Sequence, residues 1–185
     1  MSRSLRGPAA ATAIAIAATA LTALWVMHSG SPSSPGTDPP GRAVVVRVVD
    51  GDTVVLDLGG YEEPARLIGI DTPESVAPGR PVECYGAEAS ARLGELLPAG
   101  TPVDVARDVE PRDRYDRLLV YLHRATDGLF VNAAQVEDGY AEARDYPPNT
   151  TFRADFTRAE HTARAAGRGL WGACGGPDVA LGPPG

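Results

Sequence analysis

The sequence predicts an α+β fold, a five-stranded OB-type β-barrel with about three α-helices. Two observations carry this. Five short runs rich in Val, Leu and Ile are separated by Asp, Gly and Pro, the punctuation of short strands. A segment of helical period follows the third run, and further helical segments follow the fifth. Five short strands with a helix after the third suggest a small, highly curved sheet, and the barrel fits that count. An open α+β sheet fits the same pattern almost as well. No internal repeat is present.

The chain opens on Arg3 and Arg6, followed by an uncharged run from Pro8 to Met27 rich in Ala, Leu and Ile. Residues 1–28 therefore read as a signal peptide or a signal-anchor helix, since about 20 apolar residues can span a bilayer. No small-residue cleavage site sits just after the run, which tilts the reading toward an uncleaved anchor. Either form places the rest of the chain outside the cytoplasm, free or held on the outer face of the membrane. Residues 29–42 have the Pro, Ser and Gly content of a flexible linker.

The folded domain is expected over 43–174. Val44–Val49 and Thr53–Leu58 form a hairpin, with Asp50-Gly51 as the turn signal. Ala65–Ile70 is the third strand. Glu83–Leu97 is a helix whose Tyr85, Ala89, Leu93, Leu96 and Leu97 share one face, stopped by Pro98 and Gly100. Pro102–Arg107 and Arg117–His123 are the fourth and fifth strands. A short helix follows from Val131 to Asp138. The last runs from Thr151 to Ala166, with Asn149 or Thr150 as its cap and Gly167 as its stop. Residues 175–185 read as a disordered tail.

The two cysteines, Cys84 and Cys174, form no Cys/His cluster, which argues against zinc. In an exported chain they make a plausible disulfide, worth roughly 2–4 kcal/mol for a loop of this length. All 17 basic residues are Arg. Between Ala43 and Cys174, 14 Arg stand against 22 Asp and Glu, a balance of −8. Such a domain is not a non-specific binder of polyanions, although a metal ion and a few placed arginines can supply positive charge locally.

Three charged clusters carry the candidate chemistry. "DGDT" at Asp50–Thr53 is by itself an ordinary hairpin turn, and it fails as an EF-hand because Val54 and Tyr61 occupy two ligand positions. "DTPE" at Asp71–Glu74 is by itself an ordinary turn start. "EPRDRYDR" at Glu110–Arg117 is by itself a solvated loop. Brought to one rim of a barrel, they supply more. Asp52, Asp71 and a backbone carbonyl make a hard, oxygen-only site suited to Ca²⁺. Arg66 and Arg117 can grip a phosphate, and Glu74 can serve as a base or position a water. The three histidines, His28, His123 and His161, offer no nucleophile–base pair, and "GRGLWG" follows a helix rather than a strand, which excludes a dinucleotide site.

The segments "VVDGDTVVL", "ARLIGIDTPE", "ECYGAEAS", "DRYDRLLVYL", "VNAAQVEDGYAEA", "PPNTTF" and "GRGLW", in that order, resemble the thermonuclease family, the staphylococcal-nuclease-like domains. The resemblance implies calcium-dependent hydrolysis of DNA and RNA that leaves 3′-phosphate and 5′-hydroxyl ends, by a monomer. It implies Asp52, Asp71 and the carbonyl of Thr72 as calcium ligands, with Asp50 supporting them from behind. Arg66 and Arg117 look like the phosphate-binding arginines and Glu74 like the residue that activates water. Arg114 and Tyr115 fall where family members contact the terminal phosphate, and Tyr146 near the nucleotide base. The alternative is a catalytically weak or inactive nucleic-acid-binding module on the same fold.

Two departures stand out. Asp116 occupies a position that is Gly in the best-known pattern, and a carboxylate there is expected to weaken substrate binding or to compete for the Arg117 guanidinium. "EARDYPP" has one Tyr where two are typical, which weakens base stacking. There is also a problem of parity. Along a regular strand, Arg66 and Asp71 point to opposite faces. If both serve one site, the strand must bend, bulge or end near Gly69.

Overall fold

The computed structural model describes residues 41–75 and 82–181. The targeting segment, and the linker up to residue 40, lie outside the described residues. Among the described residues, no helix is long and apolar enough to cross a membrane. In chain order the elements are β1 (Gly41–Asp50), β2 (Thr53–Asp57), β3 (Glu62–Leu67), β4 (Ile70–Asp71), α1 (Gly86–Leu96), β5 (Pro102–Ala106), β6 (Leu118–Arg124), α2 (Val131–Glu137), β7 (Glu142–Ala143), α3 (Arg153–Ala165) and α4 (Leu170–Ala173).

β1, β2, β3, β6 and β5 close a barrel in that order, which decides for the barrel over the open sheet. β1 is long enough to serve both ends of the closure. Residues 41–44 pair with β5 and residues 44–50 with β2. Two register shifts, between Val45 and Arg47 and between Val48 and Asp50, coil it between these partners. The β3–β6 pair is parallel and the others are antiparallel. The interior is filled by Val45, Val54, Leu56, Leu67, Val103 and Val120, all buried. Their β-branched and leucyl side chains suit the small, strongly curved interior. α1 presents Ala89, Leu93 and Leu96 to the core, and α3 presents Phe156, Ala159 and Ala163. Phe156 joins Tyr121, Phe130 and Phe152 in an aromatic cluster with several tilted or edge-on pairs.

The third strand departs from the sequence expectation where the site needs it to. β3 ends at Leu67, Gly69 takes φ +82°, and the chain restarts as β4. Three of the backbone groups at the break find partners outside it. Ile68 N donates to Val120 O at 3.1 Å, and the fully buried Asn132 donates Nδ2 to Ile68 O at 3.0 Å. Gly69 O accepts from Arg144 N at 3.0 Å. β4 then pairs with β7, a two-residue pairing with no recognisable pattern in sequence.

Helix ends also differ. α1 starts at Gly86 rather than Glu83, after Tyr85 in a left-handed conformation. α3 starts at Arg153 with no side-chain cap. Asn149, expected to cap it, is buried and exchanges both amide hydrogen bonds with the Glu110 backbone, at 2.7 and 2.9 Å. Gly167 does stop α3. Its N–H bonds to Arg164 O, and the Arg168 N–H reaches back to Ala163 O, the Schellman arrangement.

Cys84 and Cys174 are joined by a disulfide with Cα atoms 6.0 Å apart. Beyond it, the residues expected as a loose tail are in part ordered against the domain. Cys84 N donates to Val179 O at 2.7 Å, and Leu181 N donates to Val82 O at 3.0 Å.

The turn at Gly69 has a measurable consequence. A Cβ there would lie 2.2 Å from the Phe156 ring, in a left-handed conformation. Gly69→Ala is expected to cost about 2–5 kcal/mol, combining backbone strain with overpacking. Urea unfolding checks this, and a loss under about 1 kcal/mol contradicts the account.

Candidate active site

The break after β3 brings Arg66 and Asp71 to the same side. Arg66 is 5% exposed, and its guanidinium is bracketed by two carboxylates. Nη1 contacts Asp52 Oδ2 and Nη2 contacts Asp71 Oδ1 at 2.5 Å. Nη2 also donates to the Tyr146 hydroxyl at 2.9 Å. Asp52 comes from the β1–β2 turn, Arg66 from the end of β3 and Asp71 from β4, so three separate backbone segments meet at one cation.

Each partner is itself held. Asp52 Oδ2 accepts from the Thr72 hydroxyl and backbone N–H at 3.0 and 3.2 Å, and Oδ1 accepts from Thr53 at 2.9 Å. Asp50 Oδ1 accepts from Gly51 N, Ser75 Oγ and Ser90 Oγ at 2.7, 2.8 and 3.2 Å, tying the turn to the segment after Glu74 and to α1. Gly51 serves close packing here, since a Cβ would meet Thr72 Oγ1 at 2.7 Å. From the far side, the buried Gln135 of α2 donates Nε2 to Gly51 O at 2.7 Å.

Glu74 sits at the rim. Its N–H donates to Glu83 Oε2 and its carbonyl accepts from Glu83 N, both at 2.9 Å. Arg117 enters from the loop before β6. Asp113 takes its Nε and Nη2 at 2.7 Å and also accepts from the backbone N–H of Tyr115 and Arg117. Arg114 donates to the Tyr115 hydroxyl at 2.6 Å, and both Arg114 and Arg117 lie over the exposed Tyr115 ring. Burial by itself raises the Asp113 carboxyl. The hydrogen bonds from the Arg117 side chain and from the two amides outweigh it and hold the group below the usual carboxylate range.

The competition expected from Asp116 is corrected. Asp116 has φ +64°, which explains why glycine suits the position. Its exposed carboxylate turns toward Arg112 Nη1, 3.5 Å away. The partner of Arg117 is Asp113, which the sequence reading did not single out within a run where six of eight residues are charged.

Together these groups line a polar cleft of about 430 Å³. Six carboxylates, Asp50, Asp52, Asp71, Glu74, Glu83 and Asp178, face four guanidiniums, Arg66, Arg114, Arg117 and Arg144, for a formal charge of −2. Tyr146 and Thr72 complete much of its wall. Three of these were missed in sequence. Arg144, on the residue after β7, pairs with Asp71 Oδ2 at 3.1 Å, while Glu83 and Asp178 arrive through the C-terminal pairing. Among the described residues, no group of three or more His, Cys, Asp or Glu side chains is arranged to hold a metal. Of the donors expected from sequence, the Asp52 and Asp71 carboxylates line the cleft together with Thr72. An all-oxygen set in a cleft two charges short of neutrality fits a hard divalent cation.

The sequence profile described as "Staphylococcal nuclease homologue" matches residues 64–173. The chain is 36% identical over 159 residues to a protein named thermonuclease from Staphylococcus intermedius, covering 85% of this chain and 93% of the relative. It is 35% identical over 127 residues to a thermonuclease from Staphylococcus hyicus, covering 69% and 73%. It is 31% identical over 148 residues to endonuclease YncB of Bacillus subtilis, covering 80% and 69%.

The Asp113–Arg117 clamp implies an acid-labile contribution to stability. The folded carboxyl titrates below the unfolded value of about 3.9, so between the two the unfolded chain binds more protons and stability is lost as pH drops. The stability gap between wild type and Asp113→Asn is expected to shrink as pH drops from about 5 to about 2. Urea midpoints across that range measure it, and a gap that stays constant contradicts the clamp.

Proposed function

The chain belongs to the staphylococcal nuclease homologue family, and from that premise we propose that it is an exported, calcium-dependent nuclease that cuts DNA and RNA and leaves 3′-phosphate ends. Hydrolysis of phosphodiester bonds in nucleic acid follows from the family and from relatives named thermonuclease and endonuclease. The observation that carries the finer reading is the buried Arg66 between Asp52 and Asp71, at the floor of a cleft shared with Glu74 and Arg117. Export rests on the apolar N-terminal run behind Arg3 and Arg6. If that run is not cleaved, it also tethers the chain to the membrane. The domain acts as a monomer.

Asp52, Asp71 and the Thr72 carbonyl would hold the calcium ion. When bound, the ion supplies positive charge against a phosphoryl oxygen. Arg66 and Arg117 donate to the non-bridging oxygens of the scissile phosphate, where negative charge grows in the transition state. A guanidinium has five N–H donors, so Arg117 can hold phosphate while Asp113 fixes its orientation. Glu74 orients the attacking water and takes its proton. The water oxygen bonds to phosphorus, the bond to the 5′ oxygen breaks, and that oxygen takes a proton from solvent. The products are a 3′-phosphate and a 5′-hydroxyl. Arg114 and Tyr115 contact the terminal phosphate, and Tyr146 flanks the base while its hydroxyl holds Arg66. The acidic surface keeps sequence-independent background binding weak and little affected by salt.

The assay is cleavage of single-stranded DNA and of RNA by the full chain in calcium or in EGTA. EGTA is expected to abolish turnover. Glu74→Gln should lower kcat by about 10²–10⁴, and Arg117→Ala by about 10²–10³. Nucleic acid bound in calcium with no turnover would instead mark a binding module and end the catalytic reading.

A further inference from the structure

We propose that the Cys84–Cys174 disulfide and the C-terminal segment behind it form a positioning device for Glu74 that acts through Glu83. The inference rests on the reading of Glu74 as the group that handles the attacking water.

Glu83 grips the Glu74 backbone at both polar groups, its carboxylate on the N–H and its own N–H on the carbonyl, each at 2.9 Å. The next residue, Cys84, is fixed twice. Its sulfur is bonded to Cys174, and its N–H donates to Val179 O at 2.7 Å. Glu83 bridges to Ala180, and Leu181 N closes on Val82 O at 3.0 Å. Residues 82–84 are thus held twice, by a short antiparallel pairing with residues 179–181 and by the disulfide from Cys84 to Cys174, the residue after α4. Gly86 completes the seat, because a Cβ there would lie 2.5 Å from Glu74 O. The same segment brings Asp178 to the cleft wall. The family profile ends at residue 173, so the half of the device that begins at Cys174 lies beyond what the family match covers.

Displacing a catalytic group by about 1 Å can cost on the order of 10²-fold in rate. A carboxylate carried on irregular backbone, as Glu74 is, depends on whatever fixes that backbone. Loss of the anchor should therefore lower kcat and leave KM and calcium affinity little changed, because Asp52, Asp71 and the arginines are held by other contacts.

The experiment compares the oxidised full chain with the same chain reduced by dithiothreitol. The reductant supplies two electrons and two protons, yields two thiols and closes to its own cyclic disulfide. Near-UV circular dichroism establishes that the reduced chain is folded at the assay temperature. The expected result is a kcat lower by about tenfold to a hundredfold, with KM and calcium affinity within about twofold. In oxidised protein, Glu83→Ala should reproduce the kcat loss. Glu83→Gln, whose carboxamide oxygen still accepts the Glu74 N–H, should recover most of it. A folded, reduced chain with unchanged kcat overturns the proposal. So does an oxidised Glu83→Ala chain with unchanged kcat, and that arm decides if reduction unfolds the domain. Cleavage by oxidised wild type with either of these results overturns the positioning device alone, whereas an oxidised wild type that cleaves nothing overturns the nuclease reading with it.

Discussion

The Arg66 guanidinium reaches both Asp52 and Asp71 because the chain turns between Leu67 and Ile70, at a glycine with φ +82°. A continued strand would send Asp71 to the opposite face. The turn is held by Val120, Asn132 and Arg144, which bond to the Ile68 N–H, the Ile68 carbonyl and the Gly69 carbonyl. Phe156 packs against it, with its ring where a side chain on residue 69 would stand. The barrel, α2 and α3 therefore converge on one kink, and that kink aims the site.

The electrostatics of the cleft follow from that convergence. Burying an arginine with two carboxylates contributes little net stability, because desolvation offsets most of the attraction. Packing alone gives no reason to collect six carboxylates and four guanidiniums around one depression. Under the proposed function the arrangement serves a site that exchanges partners, in which arginines meet phosphate and a cation meets the carboxylates. Asp113 holds the Arg117 fork in place from the side, through Nε and Nη2.

Much of this was legible in sequence, and the rest was not for identifiable reasons. The β-branched runs and the Asp-Gly turn gave the barrel strands, because local pattern and tertiary role agree there. If Arg66 and Asp71 serve one site, parity along "RLIGID" calls for a bend, bulge or end near Gly69, and the strand ends at Leu67 with Gly69 in a left-handed turn. The β4–β7 pairing is two residues long and joins positions with no shared pattern, so Arg144 was invisible as a partner of Asp71. In "EPRDRYDR" the charges were evident, but which carboxylate meets Arg117 depends on the left-handed turn at Asp116. The order beyond Cys174 was hidden by composition, since "GGPDVALGPPG" reads as a tail until its backbone is seen paired with residues 82–84.

The claim at the centre is that Asp52 and Asp71, gathered on Arg66, form a divalent-cation centre. Calcium titration by calorimetry, on the full wild-type chain and on Asp71→Asn, addresses it directly. The account predicts one calcium site in the wild type, weakened at least about tenfold by losing one charged ligand. A wild type that binds no calcium, or a variant that binds it equally well, would contradict it.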